Sequence, residues 1–200
     1  TGRAHPLPPS PLLGSTTICP SSTAPLITFT GSGGTAPYTF IYRINGAANQ
    51  TVTTTSGNSV TVYISTNVSG TFTYSLISVQ ESSSTTCINT VAGSAVVTIN
   101  PLPAAVVLIA PNTHLCNGGY DQITIQNFVP GYSYQWYLNG VLLRTTTVDT
   151  IMNKQPGVFK VLAISDKDCN ATTISNAVTI TRGIVWKPEV SGFYKVVYVG

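Results

Sequence analysis

Four cysteines, two histidines and six acids are the side chains of this 200-residue chain best suited to chemistry. Cys19 with Cys87, and Cys116 with Cys169, each bracket the same succession of segments. No Cys-x-x-Cys occurs, and His5 and His114 stand apart from those segments, so a tetrahedral zinc set has no basis. Widely spaced pairs suit oxidation to disulfides, which belongs to an oxidising compartment. The expected bonds are Cys19–Cys87 and Cys116–Cys169, one inside each copy.

Hydrolytic chemistry finds little support. A nucleophilic triad needs a histidine beside its nucleophile on a rigid scaffold, yet both histidines fall in or beside linkers. A glycosidase needs two carboxylates across a groove. The acids Glu81, Asp121, Asp149, Asp166, Asp168 and Glu189 fall mostly in expected turns. Asp166-Lys167-Asp168 lacks the six to eight oxygens that calcium takes. No catalytic, metal or cofactor residue is therefore expected. Among aromatics, strand alternation turns Trp136 inward and Tyr137 outward, which makes Tyr137 the candidate ligand contact.

The elements that position these residues come in duplicate. An apolar alternation opens each copy (Leu26-Ile27-Thr28-Phe29; Ile123-Thr124-Ile125). An aromatic strand ending in Asn-Gly follows, with Tyr38, Phe40, Tyr42 and Ile44 matched by Tyr132, Tyr134, Trp136 and Leu138. Gly70 and Gly157 then lead a strand each, and a valine strand closes the copy (95–99; 177–180). The first cysteines lie 97 residues apart, the Asn-Gly turns 94, the glycines 87 and the second cysteines 82. That is a tandem repeat.

Thr, Val, Ile, Tyr and Phe dominate between the turns, with alternation of period two and no helical spacing, so the fold class is all-β. Strands are expected near 8–13, 26–30, 38–44, 50–54, 59–64, 71–79 and 94–99, then 104–109, 122–127, 132–138, 141–146, 148–152, 158–165 and 176–181. Short strands at this spacing point to two tandem immunoglobulin-like β-sandwich domains, each with one disulfide. The expected organisation is a proline-rich linker with a first strand (1–15), domain one (16–100), domain two (101–182) and a closing segment (183–200). The closing segment repeats one strand (Ser191-Gly192-Phe193-Tyr194-Lys195-Val196) and reads as a partial further domain or a strand donated to a neighbour.

Charged residues are only 8% of the chain, against roughly 25% in ordinary globular proteins. Between Cys19 and Asn100 only Arg43 and Glu81 are charged. The surface rests on Ser, Thr and Asn, and the net charge of +3 is scattered. Nucleic acid, which demands clustered Lys and Arg, is an unsuitable partner. No apolar run approaches the roughly 20 residues of a membrane span. The chain starts at Thr1 without a signal peptide and reads as a mature or excised piece of an exported protein.

Ile18-Cys19-Pro20, Gly34-Thr35-Ala36-Pro37-Tyr38-Thr39-Phe40, Gly70-Thr71-Phe72-Thr73-Tyr74 and Ile99-Asn100-Pro101-Leu102-Pro103 resemble repeats of giant surface proteins in the Bacteroidota. These are immunoglobulin-like or PKD-like arrays exported by the type IX secretion system, gliding-motility adhesins among them. The resemblance spans nearly all of residues 5–182 and implies an extracellular or outer-surface location without catalytic residues. Asp149-Thr150-Ile151 resembles the O-glycosylation motif of that group, which makes Thr150 a candidate modification site. The sequons at Asn49, Asn67 and Asn170 read as chance in a Thr-rich chain.

Three functions follow as expectations. The first is an adhesin or stalk whose partners are other copies or domains of the array, surface polysaccharide or other cells. The second is a filament subunit that donates residues 183–200 to a neighbour's sheet. The third is a carbohydrate-binding or spacer module of an exported enzyme, with Tyr137 at the sugar.

Overall fold

The structure is a computed structural model. It describes residues 14–82, 88–116 and 119–183, together with the backbone of Val185–Pro188 and Tyr194–Val197. Every regular element among the described residues is a strand. The chain divides into two units, Thr1–Pro101 and Leu102–Gly200.

Unit 1 holds β1 (Thr16–Ile18), β2 (Leu26–Thr30), β3 (Thr39–Ile44), β4 (Gln50–Thr53), β5 (Ser59–Tyr63), β6 (Gly70–Gln80) and β7 (Ile88–Ile99). One sheet has the order β1-β7-β6-β3-β4, and β2 pairs with β5 in the other. Unit 2 holds β8 (Leu108–Ile109), β9 (His114–Leu115), β10 (Asp121–Ile125), β11 (Ser133–Leu138), β12 (Val141–Thr146), β13 (Thr150–Asn153), β14 (Gly157–Ile164) and β15 (Val178–Arg182). Its sheets have the orders β12-β11-β14-β15-β9 and β13-β10-β8. In both units a short early strand runs parallel to the last strand, and all other pairings are antiparallel. That strand order is immunoglobulin-like.

The expected alternation builds each core. Ile27, Phe29, Phe40, Tyr42, Tyr74 and Val97 are buried in unit 1; Ile123, Ile125, Tyr134, Trp136, Phe159 and Val161 are buried in unit 2. The Asn-Gly turns behave as read. Asn45 and Gly46 have φ of 51° and 73°, and Asn139 and Gly140 have 51° and 82°, the left-handed pair that a two-residue hairpin needs. Each asparagine also reaches the next strand. Asn45 Oδ1 accepts the Thr73 N–H at 2.7 Å, and Asn139 Oδ1 accepts the Val158 N–H at 2.9 Å.

One of the two expected disulfides is not formed. Cys19 and Cys169 are each disulfide-bonded and Cys116 is a free thiol, so the expected Cys116–Cys169 bond is not formed; the expected Cys19–Cys87 bond falls on Cys87, which lies outside the described residues. Strand register supplies the reason. In unit 2, Leu115 pairs with Arg182, past the Gly157 end of β14, while Asn170 bridges Ile164 at the other end. Cysteine spacing tracked the repeat and not the bonding partner.

Three further differences stand out. The expected strand at 8–13 and most of the 1–15 linker lie outside the described residues. β1 and β9 were not read, because strands of three and two residues carry no alternation to detect. The closing segment, expected to hold one strand, holds two: β16 (Val185–Pro188) and β17 (Tyr194–Val197) pair antiparallel, Val185 opposite Val197.

Candidate ligand-binding surface

Trp136 anchors the most distinctive surface of unit 2. It is fully buried, and its Nε1–H donates to Thr146 Oγ1 at 2.9 Å. Thr146 Oγ1 in turn donates to the Val148 carbonyl at 3.2 Å. This chain of bonds pins the end of β12, the outermost strand of its sheet. Opposite Trp136 the ladder carries a bulge: Trp136 pairs with Arg144 and Tyr137 with Leu142, so Leu143 has no partner of its own. An extra residue of this kind twists an edge and re-aims its side chains.

The result is an edge with apolar residues turned to solvent. Val141 is 71% exposed, Leu142 50% and Leu143 43%. Leu143 and Arg144 continue into a cleft of about 600 Å³, completed by Tyr120, Met152, Asn153, Lys154 and Gln155. Asn153 shapes one wall: its Oδ1 accepts the Gln155 N–H at 3.1 Å, and its Nδ2–H donates to the Gln155 carbonyl. Asp121 pairs with Asn153 across the strands and is 4% exposed, and its Oδ2 has no hydrogen-bond partner. The cleft thus combines an exposed aromatic, two aliphatic side chains and two cations.

Tyr137 faces away from the core, as alternation requires, and its hydroxyl donates to Gln135 Oε1 at 2.9 Å. With Asn139, Gly140, Val158, Lys160 and Ile174 it lines a second hollow of about 430 Å³. The two hollows share no lining residue. Thr150 opens β13, is half-buried, and its Oγ1 lies 3.4 Å from Thr124 Oγ1.

Residues considered for catalysis are scattered. His114 Nδ1 sits 2.6 Å from Thr181 Oγ1, a bond across β9 and β15. Asp166 pairs with Lys167 at 2.9 Å, both exposed, and that hydrogen bond and charge raise the lysine pKa. Glu81 Oε2 accepts the Thr35 N–H at 2.9 Å and braces a loop. His5 and Glu189 lie outside the described residues. No three metal-ligating side chains come together among the described residues. Burial raises the pKa of Tyr134; its bond to the Val129 carbonyl opposes this and the neighbouring Tyr132 adds to it.

The apolar edge and its cleft were missed in the sequence. Val141-Leu142-Leu143 offered the signal, three apolar residues running where a strand with one buried face should alternate.

No family model and no curated protein matches the chain. Among solved structures, murine CEACAM1b is similar at 13% identity over 85% of this chain and 100% of that one, with a TM-score of 0.44. A Ca²⁺-stabilized adhesin with which an Antarctic bacterium binds ice matches at 15% identity, 88% of this chain and 48% of that one, TM-score 0.48. The BSP domain of a biofilm-associated protein matches at 16% identity, 87% of this chain and 30% of that one, TM-score 0.30. At these scores the fold rests on the strand pairing itself.

Proposed function

We propose that this chain is a non-catalytic adhesive module of an extracellular protein, built as tandem immunoglobulin-like repeats, with its contact surface on unit 2. The observation that carries this reading is the Val141–Leu143 edge. Water-exposed aliphatic residues on an outer strand, beside a cleft with Tyr120, Arg144 and Lys154, are what an association surface requires. A disulfide supports the extracellular location. The array type exported by the type IX system, as in gliding adhesins, is the setting that the repeat motifs favour.

The test is retention of the purified chain on sensors coated with alkyl chains or with bacterial polysaccharide. Leu142→Asp with Leu143→Asp should cut retention at least tenfold on the surface that holds the native chain. Equal retention of variant and native chain removes the reading.

Tyr137 favours a second reading, a carbohydrate-binding module. Its ring lies in a hollow with Asn139 and Lys160, and a flat aromatic beside polar groups suits a sugar face. Tyr137→Ala should then abolish binding to polysaccharide while leaving the alkyl surface unaffected. Unchanged polysaccharide binding by Tyr137→Ala counts against it.

A further inference from the structure

The two sheets of unit 2 end in β12 and β13, each an outermost strand. The cleft of about 600 Å³ lies along this flank, with Leu143 and Arg144 from β12, Met152 and Asn153 from β13, and Tyr120, Lys154 and Gln155 from the adjoining turns. Its volume falls within the roughly 300–1,000 Å³ of ligand sites. Asp121 pairs with Asn153 in the ladder of β10 and β13, so Tyr120 and Lys154 stand one step beyond that pair, at the same end. The Asn153 side chain holds both the N–H and the carbonyl of Gln155, which fixes the turn that carries Lys154. On the other wall, the bulge beside Trp136 sets where Arg144 leaves β12.

Charge in this cleft has one sign. Arg144 and Lys154 are exposed, and neither forms an ion pair among the described residues, whereas Lys167 pairs with Asp166. Asp121, the acid of the adjoining strand, is buried and does not line the cleft. Two cations without a counter-charge in one hollow attract an anion. The guanidinium offers a planar fork that matches a carboxylate with two parallel bonds, and the ammonium adds a point charge. Tyr120 contributes an exposed ring and Gln155 an exposed side-chain amide. A sugar ring has an apolar face of C–H groups that packs on an aromatic ring, and a rim of hydroxyls that bonds to amides. An acidic peptide meets the cations equally but presents no flat face to the tyrosine.

We propose that this cleft binds an acidic polysaccharide, with Arg144 and Lys154 on a uronate carboxylate and Tyr120 against the face of the sugar ring. This ligand class refines the adhesive reading of unit 2 and rests on it.

The test dips sensors coated with polygalacturonate, neutral dextran or poly-L-glutamate into the purified full chain. The native chain should bind polygalacturonate at least tenfold more tightly than either of the others. Arg144→Gln with Lys154→Gln, both at exposed positions, should weaken binding to polygalacturonate at least tenfold, and Tyr120→Ala should weaken it severalfold. Arg182→Gln with Lys167→Gln removes the same charge elsewhere in unit 2 and should leave binding as it was. Retention on alkyl sensors, lost with Leu142→Asp and Leu143→Asp, reads the adhesive edge separately and persists if only the ligand class is wrong. Equal binding to polygalacturonate and dextran, tighter binding to poly-L-glutamate, or an equal loss in the two charge-removing variants would each overturn the proposal.

Discussion

β4 and β12 occupy the same outer place in two copies of one fold, yet they meet water with opposite chemistries. β4 reads Gln-Thr-Val-Thr, so its exposed positions carry amide and hydroxyl groups. β12 reads Val-Leu-Leu-Arg-Thr-Thr and exposes its aliphatic residues, with a bulge that β4 lacks. A polar outer strand discourages pairing with other chains, whereas an aliphatic one invites it. The two units share the order of their five-stranded sheets and differ at this rim. Under the proposed function, association belongs to the β12 edge of unit 2.

The widest separation of the units should come from their central aromatics. Trp136→Ala removes the largest buried side chain of unit 2 and leaves Thr146 without its indole donor. A loss of about 3–5 kcal/mol is expected for such a truncation. Tyr42→Ala removes a ring stacked among Phe29 and Tyr74, at centroid distances of 5.0 and 6.2 Å. Calorimetry should show two transitions, with each variant lowering one. A single transition lowered equally by both variants breaks the picture of two separate cores.

Gly70 and Gly157 sharpen the contrast on the backbone. Their φ angles are 148° and 145°, so alanine strains both by about 1–3 kcal/mol. They differ in space: a Cβ at Gly157 would lie 2.5 Å from Leu138 Cδ1, and at Gly70 nothing is nearer than 3.8 Å. Gly157→Ala should therefore cost roughly 1–3 kcal/mol more than Gly70→Ala, the range for overpacking. Equal midpoints in urea would show that the Leu138 side chain yields freely.

Much of this was legible in the residues, and the failures have physical causes. Periodicity located the buried face of each aromatic strand because a one-residue slip would expose every ring. Asn-Gly marked both hairpins because few other dipeptides tolerate two positive φ angles. That Cys116 stays apart from Cys169 was not legible, since it depends on which end of the sheet each cysteine reaches. That follows from the parallel pairing of β9, a strand too short to announce itself. The β12 surface was hidden likewise, because an apolar run reads the same whether its partner is the core or water.

Alkaline pH gives a smaller difference. Burial raises the pKa of Tyr42, and burial together with Tyr42 raises that of Tyr74, both in unit 1; in unit 2 burial raises Tyr134. A hydroxyl whose folded pKa lies above its unfolded value near 10 stabilises the fold fully below that pH. Its contribution disappears as pH rises through the raised folded value. Unit 1, with two coupled tyrosines, should lose more stability above about pH 10. Tyr42→Phe with Tyr74→Phe should flatten that loss, as followed by circular dichroism against tyrosinate absorbance. Identical alkaline midpoints for variant and native chain would assign the loss to other groups.

The smallest effect on stability belongs to the edge with which the comparison began. Leu142→Lys replaces a half-exposed aliphatic group on a strand whose inner neighbour is already fixed by Trp136 and Thr146. Surface substitutions of this kind stay within about 0.5 kcal/mol, so the unfolding midpoint of unit 2 should scarcely move. Association should respond quite differently, because an inserted lysine opposes strand pairing. Thr51→Lys on β4, an exposed position, serves as the control and should leave association as it was. Light scattering at rising concentration separates the outcomes. If Leu142→Lys and the native chain scatter alike, the apolar rim is an inert divergence between repeats; if only Leu142→Lys lowers the scattering, the rim carries the association.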